Sequence, residues 1–221
     1  MRHTGNVLSH ALGNVFLGIA VGLLGYYGLT SLLTWAEQGR LRHELDRFGG
    51  VSATVPQVDS TGPVLDFGDW ESTDKAYWDG LAEGGVFGRM VIERMSLDAV
   101  VVKGVAVADL KKGPGWVTYT DLPGPTGNCG ISGHRTTYLA PFRRIDQLEV
   151  GDVIDLYSPY RRYRYTVTRA FTVTPDKVEV FDTTEEPTLT LTACHPPYSA
   201  RYRYIIQADL TGVRRLDQGG S

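Results

Sequence analysis

The chain has almost no cysteine: two in 221 residues, too few for a covalent framework, so a hydrophobic core has to hold the fold. It also lacks an excess of either charge. Lys and Arg number 22 against 25 Asp and Glu, and a net charge of -3 leaves no electrostatic footprint for nucleic acid. A metal centre has poor support, because no paired Cys/His spacing exists and Asp146, Glu149, Asp152 and Asp155 are strung along a turn and a strand rather than set as a calcium loop. No internal repeat is visible. The most conspicuous absence lies near the start, where Thr4 to Ala36 contain no Asp, Glu, Lys or Arg.

That uncharged run, from about Leu12 to Thr34, is long enough to cross a bilayer as a helix, and its glycines at 13, 18, 22, 25 and 28 suit a membrane helix better than a soluble one. A cleaved signal peptide is the rival. Thr34-Trp35-Ala36 makes a poor cleavage site and the run exceeds a usual signal core, so an uncleaved anchor is the preferred reading. Arg40, Arg42 and Arg47 follow the span while only Arg2 precedes it, which by the positive-inside rule alone would leave the remainder in the cytoplasm.

Trp35 to Phe48 reads as the helix continuing into water, with Gly49-Gly50 as its stop. Val51 to Glu83 is then rich in Gly, Pro, Ser and Thr, and from Asp59 to Glu83 it carries seven acidic residues against one lysine, as a linker or loosely docked arm would. Within it Thr73 is placed to cap a short helix, Asp74 to Ala82, whose Tyr77, Trp78 and Leu81 share one face and cover part of the domain that follows.

From Val86 onward short strand candidates recur: VFGRMVI, LDAVVV, GWVTY, GNCGIS, DVIDLY, RYRYTVTRAFTVT, TLTLTAC and RYRYIIQA. Gly, Pro and Asp punctuate them, helical segments are few, and Ala140 to Leu148 is worth one or two turns, so the expected fold is mainly β, a closed antiparallel barrel with short helices. In RYRYTVTR, Tyr163, Tyr165 and Val167 should face the core and Arg162 and Arg164 the solvent.

The stretch Thr188 to Ile206 carries the chemistry. Leu189, Leu191 and Ala193 alternate with Thr190, Thr192 and Cys194, so the thiol leaves the core face at a strand end, where Pro196 and Pro197 forbid further pairing. The chain must turn there, and the strand resuming at Tyr202 brings Arg203 back beside Cys194. Cys129, by contrast, shares parity with Ile131 and reads as a buried core thiol, while Ser132 and His134 share the other face. A nucleophilic thiol needs a proton partner, and of five histidines His134 is the best placed, closing the apolar stretch NCGIS before a polar turn.

These residues resemble a known family. TLTAC followed by an arginine that opens a strand, with GHR-T-Y-x-x-PF upstream, is similar to the sortases, cysteine transpeptidases of Gram-positive cell surfaces. The fuller text, GPG, GN-x-x-ISGHRTTY-x-APF, L-x-x-GD-x-I and TLT-x-CHP-x-x-SAR-x-R, resembles class E sortases of actinobacterial type over about Gly84 to Leu210. The resemblance implies a catalytic trio of Cys194 as nucleophile, His134 as acid and base, and Arg203 as the donor to the developing oxyanion. Arg201, two positions away on the same face, is the weaker candidate for that arginine. Thr192, Tyr138 and His195 are candidate substrate contacts, with His195 lining the site wall rather than acting as base.

The resemblance further implies no cofactor. Its substrates would be secreted proteins bearing a C-terminal Leu-Pro-X-Thr-Gly or Leu-Ala-X-Thr-Gly sorting signal, cut between Thr and Gly. The acceptor would be a peptidoglycan precursor amine or, in a pilin-polymerising variant, a lysine of another protein. It places the catalytic domain outside a membrane crossed once, against the positive-inside count. The domain expectation is therefore an anchor at 1–36, a juxtamembrane helix and acidic linker at 37–83, the sortase catalytic domain at 84–213 and a flexible tail at 214–221. Gly68-Asp69-Trp70 resembles the Asp-Pro-aromatic lid of some pilin-type sortases, but the proline is missing and an ordinary turn is preferred. Three other readings stay open: a hydrolytic cysteine peptidase, an L,D-transpeptidase, which the sixty positions between His134 and Cys194 disfavour, and a non-catalytic surface β domain.

Overall fold

The computed structural model describes residues 3–47 and 64–216, and Val51 to Pro63 of the expected linker and the last five residues lie outside that range. A first helix, α1 (His3–Asp46), runs without a break from the uncharged segment into the charged one. Its apolar side chains from Leu12 to Leu33 are exposed. Directly after this stretch the same helix docks: the Gln38 amide bonds the backbone N and O of Val100 at 2.8 and 3.0 Å and the carbonyl of Lys112 at 2.7 Å. Thr34 donates to the Lys111 carbonyl at 3.0 Å, and Arg42 pairs with Asp98 at 3.1 Å. Leu41 and Leu45, on the same face by helical spacing, are buried against Val86, Val100, Val102 and Tyr157. Burial of each such leucine contributes about 1.5–3 kcal/mol, enough to hold the helix end to the barrel.

The arm then enters along the barrel. Val64 and Asp66 bracket the backbone of Val213, and a helical passage follows, a π turn at Glu71–Lys75 and α2 (Ala76–Asp79). The helix thus begins earlier than expected, and the Thr73 hydroxyl donates to the Asp69 carbonyl from inside the first turn instead of capping it. The expectation of a loose arm does not hold for residues 64–83. Trp78 is buried and stacks on Phe87 at 5.1 Å, which stacks on Trp116 at 5.0 Å, and Tyr77 and Leu81 pack on the same core. The acidic residues also have a structural use. Asp69 and Asp74 both pair with the fully buried Arg161, Asp69 also takes Arg215, and Arg161 adds bonds to Thr73 Oγ1 at 2.7 Å and the Asp66 carbonyl at 2.9 Å. A buried charge is tolerated only when paired and hydrogen-bonded in this way.

Among the described residues eight strands form the barrel: β1 (Val86–Ile92), β2 (Leu97–Lys103), β3 (Gly115–Trp116), β4 (Asn128–Ser132), β5 (Val153–Tyr157), β6 (Arg161–Val173), β7 (Thr188–His195) and β8 (Tyr202–Arg215). They close in the order β1-β2-β3-β4-β7-β8-β6-β5. Each overlaps one of the strand segments read from the sequence, though GWVTY is a strand only at Gly115–Trp116 and RYRYIIQA is the first half of a strand that runs on to Arg215. Closure is as expected, but the barrel is not wholly antiparallel, since β2–β3 and β4–β7 pair in parallel. Tyr163, Tyr165 and Val167 face the core as predicted. Arg164 is not simply solvated: it forms a two-pronged bond to Asp155 of β5 at 2.9 and 2.8 Å, and Arg162 is buried. The expected tail is part of β8 to Arg215, and the Leu216 amide bonds the Tyr160 carbonyl.

Candidate active site

Cys194 lies opposite Arg203 in the antiparallel β7–β8 register. This follows from the turn that Pro196 and Pro197 enforce, since neither has an N–H to extend the ladder. On the other side β7 pairs in parallel with β4, Ser132 opposite Thr192, and the Gly133 amide still donates to the Thr192 carbonyl at 3.1 Å. His134 is therefore the next residue after β4 leaves its pairing, alongside the strand end that carries Cys194. Its carbonyl accepts from the Phe142 amide at 3.0 Å, which closes the loop after it. Glycine is needed just before: a Cβ on residue 133 would stand 2.6 Å from the Phe142 ring.

Cys194 is a free, half-buried thiol, whereas Cys129 is fully buried in the core, where desolvation pushes its pKa up. His134 is half-buried, and its Nε2 has no hydrogen-bond partner among the described residues. Burial lowers its pKa from the ordinary histidine value, so the neutral ring is favoured at neutral pH. Arg203 donates to the carbonyls of Ala200 and Tyr202 at 3.1 and 3.2 Å, and to no carboxylate among the described residues. Arg201 is exposed, lies two positions from the residue paired with Cys194, and rests on the Tyr202 ring at 5.3 Å.

Thr192, one of the candidate contacts, is buried, its hydroxyl has no partner among the described residues, and it lines a cavity of about 240 Å³ together with Ser132, Tyr119, Phe181, Arg203 and Ile205. The polar face of β7 is roofed by the β6–β7 connection, whose Val178–Phe181 turn sits over Thr190 and β4. Sequence reading missed this roof. Its trace is the apolar set Val178, Val180 and Phe181 inside an otherwise acidic loop.

Tyr138 does not border that cavity. Three successive left-handed residues, Tyr138, Leu139 and Ala140, turn the loop so that Tyr138 stands 5.2 Å from the His134 ring and lines the crevice between that loop and α1. His195 points to the face opposite Cys194. Its Nδ1 is 2.7 Å from Arg135, and because a guanidinium can only donate, Nδ1 is the acceptor. Arg135, buried and also paired with Asp146 at 2.5 Å, is a wall residue that sequence reading passed over although it directly follows His134. The lid reading of Asp69 and Trp70 is contradicted. Asp69 is held by Arg161 and Arg215, and Arg215 is twelve residues along β8 from Arg203, roughly 40 Å of strand. The Trp70 indole is occupied by the Pro123 carbonyl at 2.9 Å.

A closed barrel with a free thiol at one strand end, an arginine across the ladder and a histidine leaving the neighbouring strand defines a sortase-like thiol site. The family model for the Sortase domain matches residues 90–211, and the chain belongs to the sortase family. Sortase A of Bacillus anthracis is 33% identical over 130 residues, 58% of this chain and 61% of that protein. Sortase SrtE1 of Streptomyces coelicolor is 32% identical over 102 residues, 42% of this chain and 29% of that protein. The chain thus spans less than two thirds of the length of either relative. Among solved structures, that of Sortase E1 from Streptomyces coelicolor with a tripeptide in its active site superposes with a TM-score of 0.58 at 26% identity, covering 62% of this chain and 95% of the other.

Proposed function

We propose that this protein is a membrane-anchored cysteine transpeptidase of class E type, which cuts a Leu-Pro/Ala-X-Thr-Gly sorting signal between Thr and Gly and passes the protein to an amine of a cell-wall precursor. The observation that carries the reading is the register pairing of Cys194 with Arg203, beside the point where His134 leaves β4. Cys194 Sγ attacks the threonine carbonyl carbon while its proton passes to the neutral His134 ring. The tetrahedral oxyanion is met by Arg203, a permanent donor. His134 then gives the proton to the departing glycine amine as the C–N bond breaks, leaving a thioester. The incoming amine attacks that thioester, its proton goes to His134, and the proton returns to the sulfur as the C–S bond breaks.

The neutral ring favoured by burial is the form this sequence starts from. The orphan Thr192 hydroxyl, at the cavity wall two residues before the thiol on the same face, is a fitting partner for a substrate backbone group. The tripeptide in the active site of the Streptomyces coelicolor protein agrees with a peptide ligand. In this reading the catalytic domain is the barrel, α1 is the single-pass anchor and the barrel is extracellular. Arg40 and Arg42, which count against that topology, are engaged in ion pairs with Glu37 and Asp98. A general anchoring role is favoured over pilin polymerisation because Asp69 and Trp70, the segment that resembles a lid, are committed elsewhere.

A panel of Leu-Pro-X-Thr-Gly and Leu-Ala-X-Thr-Gly peptides, with and without an added glycine-based amine, tests the proposal by mass spectrometry. The expected product carries the amine on the threonine carboxyl. Cleavage that ignores the amine would point to a hydrolase, and no cleavage of any peptide would contradict the reading.

A further inference from the structure

α1 meets the barrel earlier than its docking residues require. Tyr26 interacts with the Tyr138 hydroxyl, and Tyr27 lines a cleft of about 740 Å³ with Thr136, Thr137, Arg143, Arg144 and Tyr198. These contacts lie seven to eight residues before Thr34, about 10–12 Å further down the helix axis. The loops that surround the candidate site, 134–142 and 195–199, therefore hang beside the apolar part of α1. Helix length says at what depth. The apolar run from Leu12 to Thr34 has roughly 33 Å of rise, enough to cross a bilayer's hydrocarbon core, and the tyrosine pair lies seven to eight residues before its end, where the span approaches the interface and its aromatic belt.

The side chains at that level fit such a surface. Tyr198 is 89% exposed at the tip of the β7–β8 turn, and Leu139 is 44% exposed. Exposed Lys111 stands over the Tyr138 ring at 5.7 Å, Arg143 and Arg144 line the cleft, and the carboxylate among the cleft residues, Asp146, is paired with Arg135. The opposite end of the barrel, with its Asp69, Asp74 and Arg161 network, points away.

We infer that the site end of the barrel rests on the membrane surface, with Tyr198 and Leu139 at headgroup depth and Lys111, Arg143 and Arg144 against anionic phospholipid. The inference rests on α1 spanning the bilayer as an anchor. It means that the loops bordering the site, 134–142 and 195–199, lie against the bilayer, within reach of membrane-borne substrates.

The test uses the full chain in vesicles of phosphatidylglycerol and phosphatidylcholine, in a Cys194→Ala background. An environment-sensitive fluorophore is attached at Tyr198→Cys, Thr211→Cys or Gly18→Cys, and nitroxide lipids labelled at the headgroup or mid-chain serve as quenchers. The Gly18 label should be quenched by mid-chain nitroxide. The Tyr198 label should be quenched severalfold by headgroup nitroxide and the Thr211 label left as in water. Replacing Arg143 and Arg144 together by Glu should reduce Tyr198 quenching in phosphatidylglycerol vesicles but not in pure phosphatidylcholine. A Tyr198 label as unquenched as the Thr211 label, with the Gly18 label buried, would overturn the membrane contact while sparing the anchor. An unquenched Gly18 label would remove the anchor and this inference together. Tyr198 quenching in phosphatidylglycerol vesicles that is unchanged by the Arg143 and Arg144 replacement would overturn the electrostatic part.

Discussion

The two ends of the barrel treat polar groups in opposite ways. At the arm end Arg161 is buried completely, yet Asp69, Asp74, Thr73 and a carbonyl saturate it. Around Cys194 the groups are only half-buried or lie at a cavity wall, yet among the described residues His134 Nε2 and Thr192 Oγ1 have no partner and Arg203 bonds only to local carbonyls. The saturated end is a clamp, holding the arm and so α2 to the barrel. The unsaturated end costs stability in the free protein, and such a cost is understandable where a ligand supplies the missing bonds. The two ends should therefore fail differently when cut.

The largest effect is expected at the clamp. Asp74→Ala leaves a buried guanidinium short of a counter-charge and should destabilise the fold by about 3–5 kcal/mol, read as a fall in the urea midpoint. A loss below ~1 kcal/mol would show that the network holds little. Arg203→Ala, at the other end, should lower turnover of a sorting peptide by about 10²–10³, the range for removal of an oxyanion donor, with the urea midpoint nearly unmoved. If the variant unfolds early instead, the contrast between the ends is lost.

The smallest effect concerns pH. Burial lowers the His134 pKa, so the folded state favours the neutral ring. The sign follows from linkage: this contribution is complete above the unfolded histidine value near 6.5 and is lost as pH falls through the lower folded value. The urea midpoint of the native protein should thus drop slightly between about pH 7 and 5. His134→Asn should flatten that part of the curve, and an unchanged slope would mean that the ring is not desolvated.

Much of the fold could be read from residues, and the reasons are physical. Strand parity placed Tyr163, Tyr165, Cys129 and Ile131 inside because alternation reports faces directly. It says nothing about neighbours, so the parallel ladders of β2–β3 and β4–β7 were not visible. Cys194 and Arg203 could be paired because two prolines force a tight turn between two strands. The roof over Thr192 could not be anticipated, since a loop's docking depends on what it meets. The arm misled for a similar reason: its acidity reads as solvation until Arg161, ninety positions away, is known to receive it. Tyr138 faced α1 rather than the cavity because of a left-handed run that no residue in TTYLAP announces.

The central claim is that Cys194 is the nucleophile of an acyl transfer. Intact-mass and peptide-mapping analysis of the enzyme, quenched in acid during turnover of a sorting peptide, measures it most directly. The account predicts a single acyl adduct on Cys194, absent from Cys194→Ala and released by added amine. An adduct on another residue, or full turnover by Cys194→Ala, would contradict it.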